Sequence, residues 1–487
     1  MRPEPTRRSV VTGLAAGALV VGFDPLTRSW AGDGPLRNVP PLDGRLTVDP
    51  AARSAAADDF GHLVHRHPLA VLEPGSVQDV AVMLRFCRKH RILVAARGQG
   101  HATFGQAQVS AGLIIDMGTL RDIRVRDNHV GDNSVAVQAG ARWSEVLRAT
   151  VPNGLAPPVL TDYLELSVGG TLSAGGLGGS THQHGAQVDN VLELEVVTGA
   201  GERTVCSPTR RPDLFHAVLA GLGQCAIITQ ATIRLLPAPA TVRHYQLFYP
   251  SVAALTADQR RVVRDGRFPF VQGQALPPAE GAREWRYLLE AVAFPRRSTP
   301  PDDDALLGDL NFERGTQVID DLPYLDFLDR LAPTVELLKS IGEWARPHPW
   351  WNVLLPDSVV DEFVTSVMAD LTPADIGASG VILVYPLRRA KLHLPLLRAP
   401  NEPLVFLFAL LKTASPGALP AADMLDANLD LYRRARSLGG FQYPVGSIPL
   451  TGKDWRVHFG SAWPAFAAAK RRYDPAVILA PGQGVFR

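Results

Sequence analysis

Cysteine is scarce: three residues, Cys87, Cys206 and Cys225, in a chain of 487. Three thiols do not make a disulfide framework. Cys87 sits on an apolar helical face and Cys225 in an apolar run, so both read as buried free thiols. No Cys-x-x-Cys or HExxH pattern occurs. The histidines at 62, 65 and 67 and the His182/His184 pair lack the carboxylate or cysteine spacing of a metal site, so no metal is expected. An excess of one charge is also missing. Lys+Arg is 49 and Asp+Glu is 48, and no basic run reads as a nucleic-acid surface. No nucleic acid is therefore expected as a partner. There is no internal repeat, and no apolar run reaches the roughly 20 residues that span a bilayer. What remains has the balance of a soluble globular protein, 46% hydrophobic and 20% charged. Its length allows two or more domains with substantial cores.

The N-terminus reads as an address. Arg7-Arg8 precede an apolar stretch over 10–23, which leads to Ser29-Trp30-Ala31. That is a charged start, an apolar middle and a small-x-small cleavage signal. Thr6-Arg7-Arg8-Ser9-Val10-Val11 resembles a twin-arginine export signal. Residues 1–31 are thus expected to be removed, and the mature protein to be exported (extracellular or periplasmic). The alternative is an ordinary secretory signal.

Residues 32–59 read as a linker, Gly/Pro-rich in their first part. From Phe60 the pattern is α/β. Ser76-Val77-Gln78-Asp79 resembles a capping box with Asp in place of Glu, and Val77, Val80, Ala81, Leu84 and Cys87 follow at helical spacing. Strands are expected over 92–96 and 113–115, then a strand at 135–137 and a helix over 143–151. The block 167–179 is so rich in glycine that a helix there is disfavoured, and it reads as backbone packed along a ligand. Strands over 191–198 and 225–235 flank a helix at 212–220. Pro237-Ala238-Pro239 marks a boundary. A second α/β unit, 240–443, has strands over 242–249, 287–294, 381–385 and 405–411 and helices over 324–331 and 423–438. A closing segment, 444–487, contains a helix over 463–473.

His101 is the residue with most to say. It lies in Ala95-Ala96-Arg97-Gly98-Gln99-Gly100-His101-Ala102-Thr103-Phe104-Gly105-Gln106. The strand over 92–96 ends at a glycine pair that lets the backbone approach a ligand closely. Successive N–H groups in such a loop form an anion nest suited to a pyrophosphate, with the imidazole at its edge. The plain alternative is a strand-turn with a surface histidine.

The loop resembles that of the vanillyl-alcohol oxidase/p-cresol methylhydroxylase flavoproteins. Further segments follow in order: Thr161-Asp162-Tyr163-Leu164, Val168-Gly169-Gly170-Thr171-Leu172-Ser173, the run from His184-Gly185 to Leu194, Gly221-Leu222-Gly223-Gln224, Tyr473-Asp474-Pro475 and Ala480-Pro481-Gly482-Gln483. Together they resemble the cytokinin dehydrogenases of that superfamily, from about 62 to 239 and again at the C-terminus; the middle unit matches poorly. The resemblance implies an α+β architecture. A PCMH-type FAD-binding domain (60–239) of two α/β subdomains would be interrupted by a substrate domain (240–443) with a large antiparallel sheet, and 444–487 would return to the FAD domain.

The resemblance also implies roles. FAD would contact Ala96, Arg97, Gly98, Gln99, Gly100, His101 and Ala102, with Gln106 nearby. Ser167, Ser173, Leu177 and Ile228 would line it, and Tyr443 and Gln483 would return to it. His101 would bond the flavin 8α-methyl. No cysteine follows the loop near Asp162, so a single linkage is expected. Asp162 would touch the cofactor and act as the base that takes a proton as a hydride leaves for flavin N5, giving oxidation of a C–N bond of a secondary amine. Tyr163 and Leu164 would give it an apolar setting. The plain alternative for Asp162 is a helix or turn cap. Three positions depart from the plant-type pattern. Ala102 and Ala480 stand where serine is common, and Gln272 stands where a glutamate helps bind the substrate purine. The small-molecule substrate is therefore open. Alternatives are an FAD oxidase of an alcohol, sugar or secondary metabolite, and a non-redox flavin-binding secreted protein. The electron acceptor would be oxygen or a quinone.

Overall fold

The computed structural model describes residues 22–23, 37–126, 133–278, 284–295 and 299–487. The expected signal over 1–31 lies outside the described residues, apart from the pair 22–23. No described helix is long and apolar enough to cross a membrane.

Three sheets organise the chain. The first has four strands in the order Arg45–Thr47, Ala70–Glu73, Leu113–Asp116, Val94–Arg97. The last three are parallel, and Arg45–Thr47 joins antiparallel. The helix Val77–His90 carries the chain between two of them. Ser76 caps it by accepting from the Asp79 N–H. Asp79 does not close the expected capping box. Its carboxylate instead accepts N–H bonds from Asp43, Gly44 and Gly75 at 2.9, 2.7 and 2.8 Å, pinning the preceding loop to the helix start. The linker expected over 32–59 is thereby corrected. Residues 45–47 are a strand, and Pro50–Ala56 is a helix capped by Asp49. Gly/Pro content misled because it describes only the start of that segment.

The second sheet is antiparallel, in the order Arg203–Cys206, Val191–Thr198, Ala226–Arg234, Ser134–Gln138, Ile123–Arg126. The glycine-rich block corrects the sequence reading: Val168–Ala174 is a helix. Glycine costs about 1 kcal/mol per residue in a helix. Here tertiary packing outweighs that cost, because the helix lies against the inner strands Ala226–Arg234 and Ser134–Gln138 so closely that a Cβ on Gly169 would stand 2.7 Å from Ala139 Cβ.

The chain enters the third sheet at Thr241 and leaves it at Gln442. Its eight strands are antiparallel throughout, in the order Val318–Pro323, Thr241–Tyr249, Arg286–Ala293, Phe270–Leu276, Val381–Arg388, Leu404–Leu411, Trp351–Pro356, Phe441–Gln442. The large antiparallel sheet is therefore present. Both faces are buried, so its central strands read as unbroken apolar runs. Along Leu404–Leu411 the period of two assigns Phe406, Phe408 and Leu410 to an outer core shared with the helices Val252–Asp265 and Val360–Asp370. Val405 and Leu407 face the other way, into the core shared with the first two sheets. The C-terminal segment then returns to the first sheet: Val94 N–H donates to the Ile478 carbonyl, and Ala480 N–H to the Val94 carbonyl. A buried Lys470–Asp474 pair at 2.7 Å holds that return in place, with Lys470 also donating to the Gln224 carbonyl.

Candidate active site

The inner face of the third sheet, the ends of the first-sheet strands and the Val168–Ala174 helix enclose a cavity of about 670 Å³. That is within the range of cofactor sites. Every site residue nominated from the sequence lines it.

At one end the strand Val94–Arg97 runs into the His101 loop. Gly100 has φ of +66°, and a Cβ on Gly98 would collide with Ser167 Oγ. The carbonyls of Gly100 and Ala102 turn outward and accept from the N–H groups of Phe60 and Gly61 at 2.9 and 3.1 Å. The N–H groups of residues 98–102 donate to no protein acceptor among the described residues. A run of donors without a protein acceptor, in a loop that lines the cavity, suits an anion. The loop is braced from behind: buried Asp59 accepts from Gly105 N–H at 2.7 Å and Gly61 N–H at 3.2 Å, and burial pushes its carboxyl up to about 6 against the pull of Arg97.

His101 sits in an aromatic box. Phe60 stacks on it at 4.0 Å and 25°, and Tyr163, Trp350 and Trp344 stand 5.0, 5.6 and 5.9 Å away. His348 stacks on Phe60 at 4.0 Å. Burial, with His348 adding to it, pushes the His101 imidazole down to about 3, so it is neutral at physiological pH and keeps a nucleophilic ring nitrogen. Two buried donors on the cavity wall, Trp350 Nε1 and Asn352 Nδ2, have no protein partner. Buried polar atoms are normally satisfied, so both fit a polar ligand edge.

The remaining cofactor candidates divide by what their polar atoms already do. Ser173 Oγ donates to the Gly169 carbonyl at 2.7 Å within its helix. Tyr443 Oη accepts from Gly176 N–H at 3.0 Å, and burial pushes its phenol up to about 12. The Gln106 amide is spent on protein, accepting from Phe104 N–H at 2.7 Å and donating to the Gly446 carbonyl at 3.0 Å. Gln99, Ser167 and Gln483 make no side-chain hydrogen bond to protein among the described residues; Leu177 and Ile228 supply apolar wall. A run of backbone donors, an apolar wall and orphaned polar atoms suit FAD.

Asp162 occupies the other end, and its setting corrects the expectation of an apolar one. Leu164 turns into the core, and the Tyr163 ring goes to His101. The carboxylate itself is ion-paired. Its Oδ1 accepts from Arg330 Nη2 at 3.0 Å, and its Oδ2 from Gln272 Nε2 at 2.6 Å. Arg330 also donates to Gln272 Oε1 at 3.2 Å and forks onto Glu290 at 2.8 and 2.9 Å. His244 Nε2 lies 2.9 Å from Glu290 Oε1. The guanidinium also lies against the edge-to-face pair of rings Phe270 and Phe327, at 5.0 and 4.7 Å.

Arg330, Glu290 and His244 were not foreseen. Glu290 left a signal: one carboxylate inside the apolar strand Arg286–Ala293 needs a buried partner. Arg330 left none, because the helix expected over 324–331 ends at Leu328, and that turn aims the guanidinium inward. The His182/His184 pair is no ligand set, since His182 places its two ring nitrogens 2.9 and 3.0 Å from the carbonyls of Gly179 and Phe268.

Comparisons with known proteins agree with this geometry. The family described as "FAD binding domain" matches residues 68–207, and that described as "Cytokinin dehydrogenase 1, FAD and cytokinin binding" matches residues 287–486. An uncharacterised oxidoreductase of the fasciation locus of Rhodococcoides fascians is 41% identical over 444 residues, which are 91% of this chain and 99% of that one. Cytokinin dehydrogenase 5 of Oryza sativa subsp. japonica is 37% identical over 491 residues, 91% of each chain. Cytokinin dehydrogenase 1 of Arabidopsis thaliana is 35% identical over 486 residues, 92% of this chain and 83% of that one. The poor match expected of the middle unit is corrected, since these similarities run through it.

Proposed function

The chain belongs to the cytokinin dehydrogenase family of FAD-dependent oxidoreductases, and from that premise we propose that it oxidises a C–N bond of a cytokinin-like secondary amine with Asp162 as the base. When bound, FAD supplies the two-electron acceptor. The N–H groups of residues 98–102 would hold its diphosphate, and neutral His101 is the residue that would anchor it through a ring nitrogen at the flavin 8α position, as a single linkage. None of the three cysteines lines the cavity, so a second covalent bond has no donor. Asp162 takes the amine N–H proton as the adjacent C–H is oxidised. The imine product then hydrolyses to an aldehyde and an amine. The observation that carries this reading is the carboxylate of Asp162 opening into the same cavity as the His101 loop.

Gln272 keeps the substrate class broader than adenine derivatives. Its amide is committed to Asp162 and Arg330 and brings no charge to a purine. Anaerobic bleaching of the purified yellow protein across isopentenyladenine, other secondary amines, sugars and aromatic alcohols tests the proposal. Fast bleaching by the amines is expected; bleaching by sugars or alcohols alone overturns it in favour of an alcohol or sugar oxidase. A protein that binds flavin but bleaches with none of them has a non-redox role. Reoxidation in air with and without a quinone separates the two acceptors. Export follows from the twin-arginine-like N-terminus, and a secreted protein starting after Ala31 is the expected product.

A further inference from the structure

The cluster beneath Asp162 is more elaborate than holding two domains together requires. Gln272 and Glu290 are direct cross-strand partners in the third sheet. Arg330, arriving after the Tyr324–Leu328 helix, drops onto that pair and reaches Asp162, which comes from the other domain. We infer that Arg330 and Glu290 form one positioning unit for Asp162: Arg330 fixes the carboxylate across the domain junction, and Glu290 offsets the guanidinium charge so that Asp162 can still take a proton. This rests on the reading of Asp162 as the base.

The hydrogen bonds define the unit. Arg330, Gln272 and Asp162 form a closed ring in which each atom meets its opposite: the Gln272 amide donates to Asp162 and accepts from Arg330. Only this amide orientation leaves no two like groups facing. Each Asp162 oxygen is engaged once, and a carboxylate oxygen has two lone-pair sites, so each retains one for a substrate N–H. The carboxylate is held without being used up.

Charge balance is the second half of the inference. A lone guanidinium 3.0 Å from the base would favour its ionised form and oppose proton uptake. Glu290 covers that guanidinium with a two-point fork and is only 5% exposed, so solvent screens the pair weakly. Burial opposes ionisation of Glu290, yet the Arg330 charge and the His244 hydrogen bond hold its carboxyl below the ordinary range. Burial likewise opposes the Arg330 charge, and Glu290 with Asp162 holds it in place. Among the described residues Tyr385 also faces Asp162, with Tyr443 next to Tyr385, and both are neutral because burial pushes their phenols up. The charge felt by Asp162 is thus set by Arg330 and Glu290, with His244 behind Glu290. A buried ion cluster is seldom more stabilising than apolar residues of the same shape, so its place against a reacting carboxylate points to chemistry.

The test is the pH profile of kcat/KM and of anaerobic flavin reduction, with isopentenyladenine as probe, for the full chain with its flavin. In Glu290→Gln the uncovered guanidinium should move the acid limb down by about one pH unit and lower the plateau about tenfold as the base weakens. Arg330→Lys keeps the charge without the fork and should lower kcat with little change in KM. Arg330→Met/Glu290→Met removes both charges together, leaves neither member of that buried pair uncompensated and guards against misfolding of the single variants, while Asp162 loses its ion-pair partner. Its acid limb should return upward while its plateau stays low. Melting temperature and flavin content report folding separately. Profiles of Glu290→Gln and the double variant that superpose on the parent overturn the inference. Asp162→Asn distinguishes the two layers: if it reduces flavin at the parent rate, the base reading itself falls.

Discussion

The two ends of the cavity are built on different principles. The His101 end is local: one loop of consecutive residues presents backbone N–H groups, and glycines shape it. The Asp162 end is assembled from four distant segments, carrying Asp162, Gln272, Glu290 and Arg330, and works through side chains. Holding a cofactor needs donors that any backbone offers, so a short motif suffices. Moving a proton needs one carboxylate in one orientation, and here only sheet register and domain docking supply it. The ends should therefore fail differently under substitution.

The largest failure is expected at the Asp162 end. Asp162→Asn keeps the shape and the Arg330 contact but cannot take a proton. Flavin reduction by a good substrate should fall by roughly 10²–10⁴-fold, with flavin content and melting temperature near the parent's. Stopped-flow reduction under anaerobic conditions measures it. A fall below threefold would show that the two ends are not divided into holding and chemistry.

His101→Ala should break the other end without breaking the chemistry. The flavin should then leave the protein on acid precipitation, whereas the parent keeps it in the pellet. Turnover by protein reloaded with FAD should fall about tenfold, less than for Asp162→Asn, because the base remains. Gln272→Glu probes the border between the ends. It places a second carboxyl at the position of an amide that now donates to Asp162 at 2.6 Å. Two carboxyls at that separation share a proton at neutral pH. Reduction should slow several-fold at pH 7 and recover at higher pH, as a stopped-flow pH series would show; an unchanged profile would mean Gln272 does not bear on Asp162.

The same contrast explains what could be read from the chain. The His101 loop was legible because strand, glycines and histidine are contiguous, and backbone donors need no partner elsewhere. The helices at Trp143–Thr150 and Trp463–Tyr473 were legible from period, and four of the third sheet's strands from their apolar runs, whereas Phe270–Leu276, Val318–Pro323 and Trp351–Pro356 were not foreseen. The Val168–Ala174 helix was not, since its glycines cost helix propensity locally and are repaid only by contact with Ala139, a residue distant in sequence. Arg330 was invisible for a related reason. Nothing near it differs from a solvent-facing helix end, and its role exists only where Glu290 and Asp162 come together.

The smallest effect expected separates the ends by pH. The His101 end relies on imidazoles kept neutral by burial: His101 pushed down to about 3 and His348 to about 4. His182, at about 4, and His458, at about 3, are buried elsewhere. Free histidine titrates near 6.5. Between roughly pH 6.5 and 4 the unfolded chain therefore binds protons that the folded chain refuses. Their stabilisation is complete above about pH 6.5 and is lost as pH falls, on the order of 1 kcal/mol for each imidazole at pH 5.5. Asp59, raised to about 6, acts in the opposite sense, because the folded chain takes its proton first. Asp59, with Asp189 and Asp329 raised in the same way, offsets only part of these four imidazoles and of His184, which burial also lowers, so the melting temperature should drop by several degrees from pH 7.5 to 5.5. His348→Gln removes one of the four and should flatten that slope even if it lowers the melting temperature at pH 7.5. The Asp162 end, whose charges are paired, should contribute little slope, so Glu290→Gln should leave it unchanged over this window. A melting temperature that is level or rising from pH 7.5 to 5.5 would show that the buried imidazoles are not the acid-sensitive element.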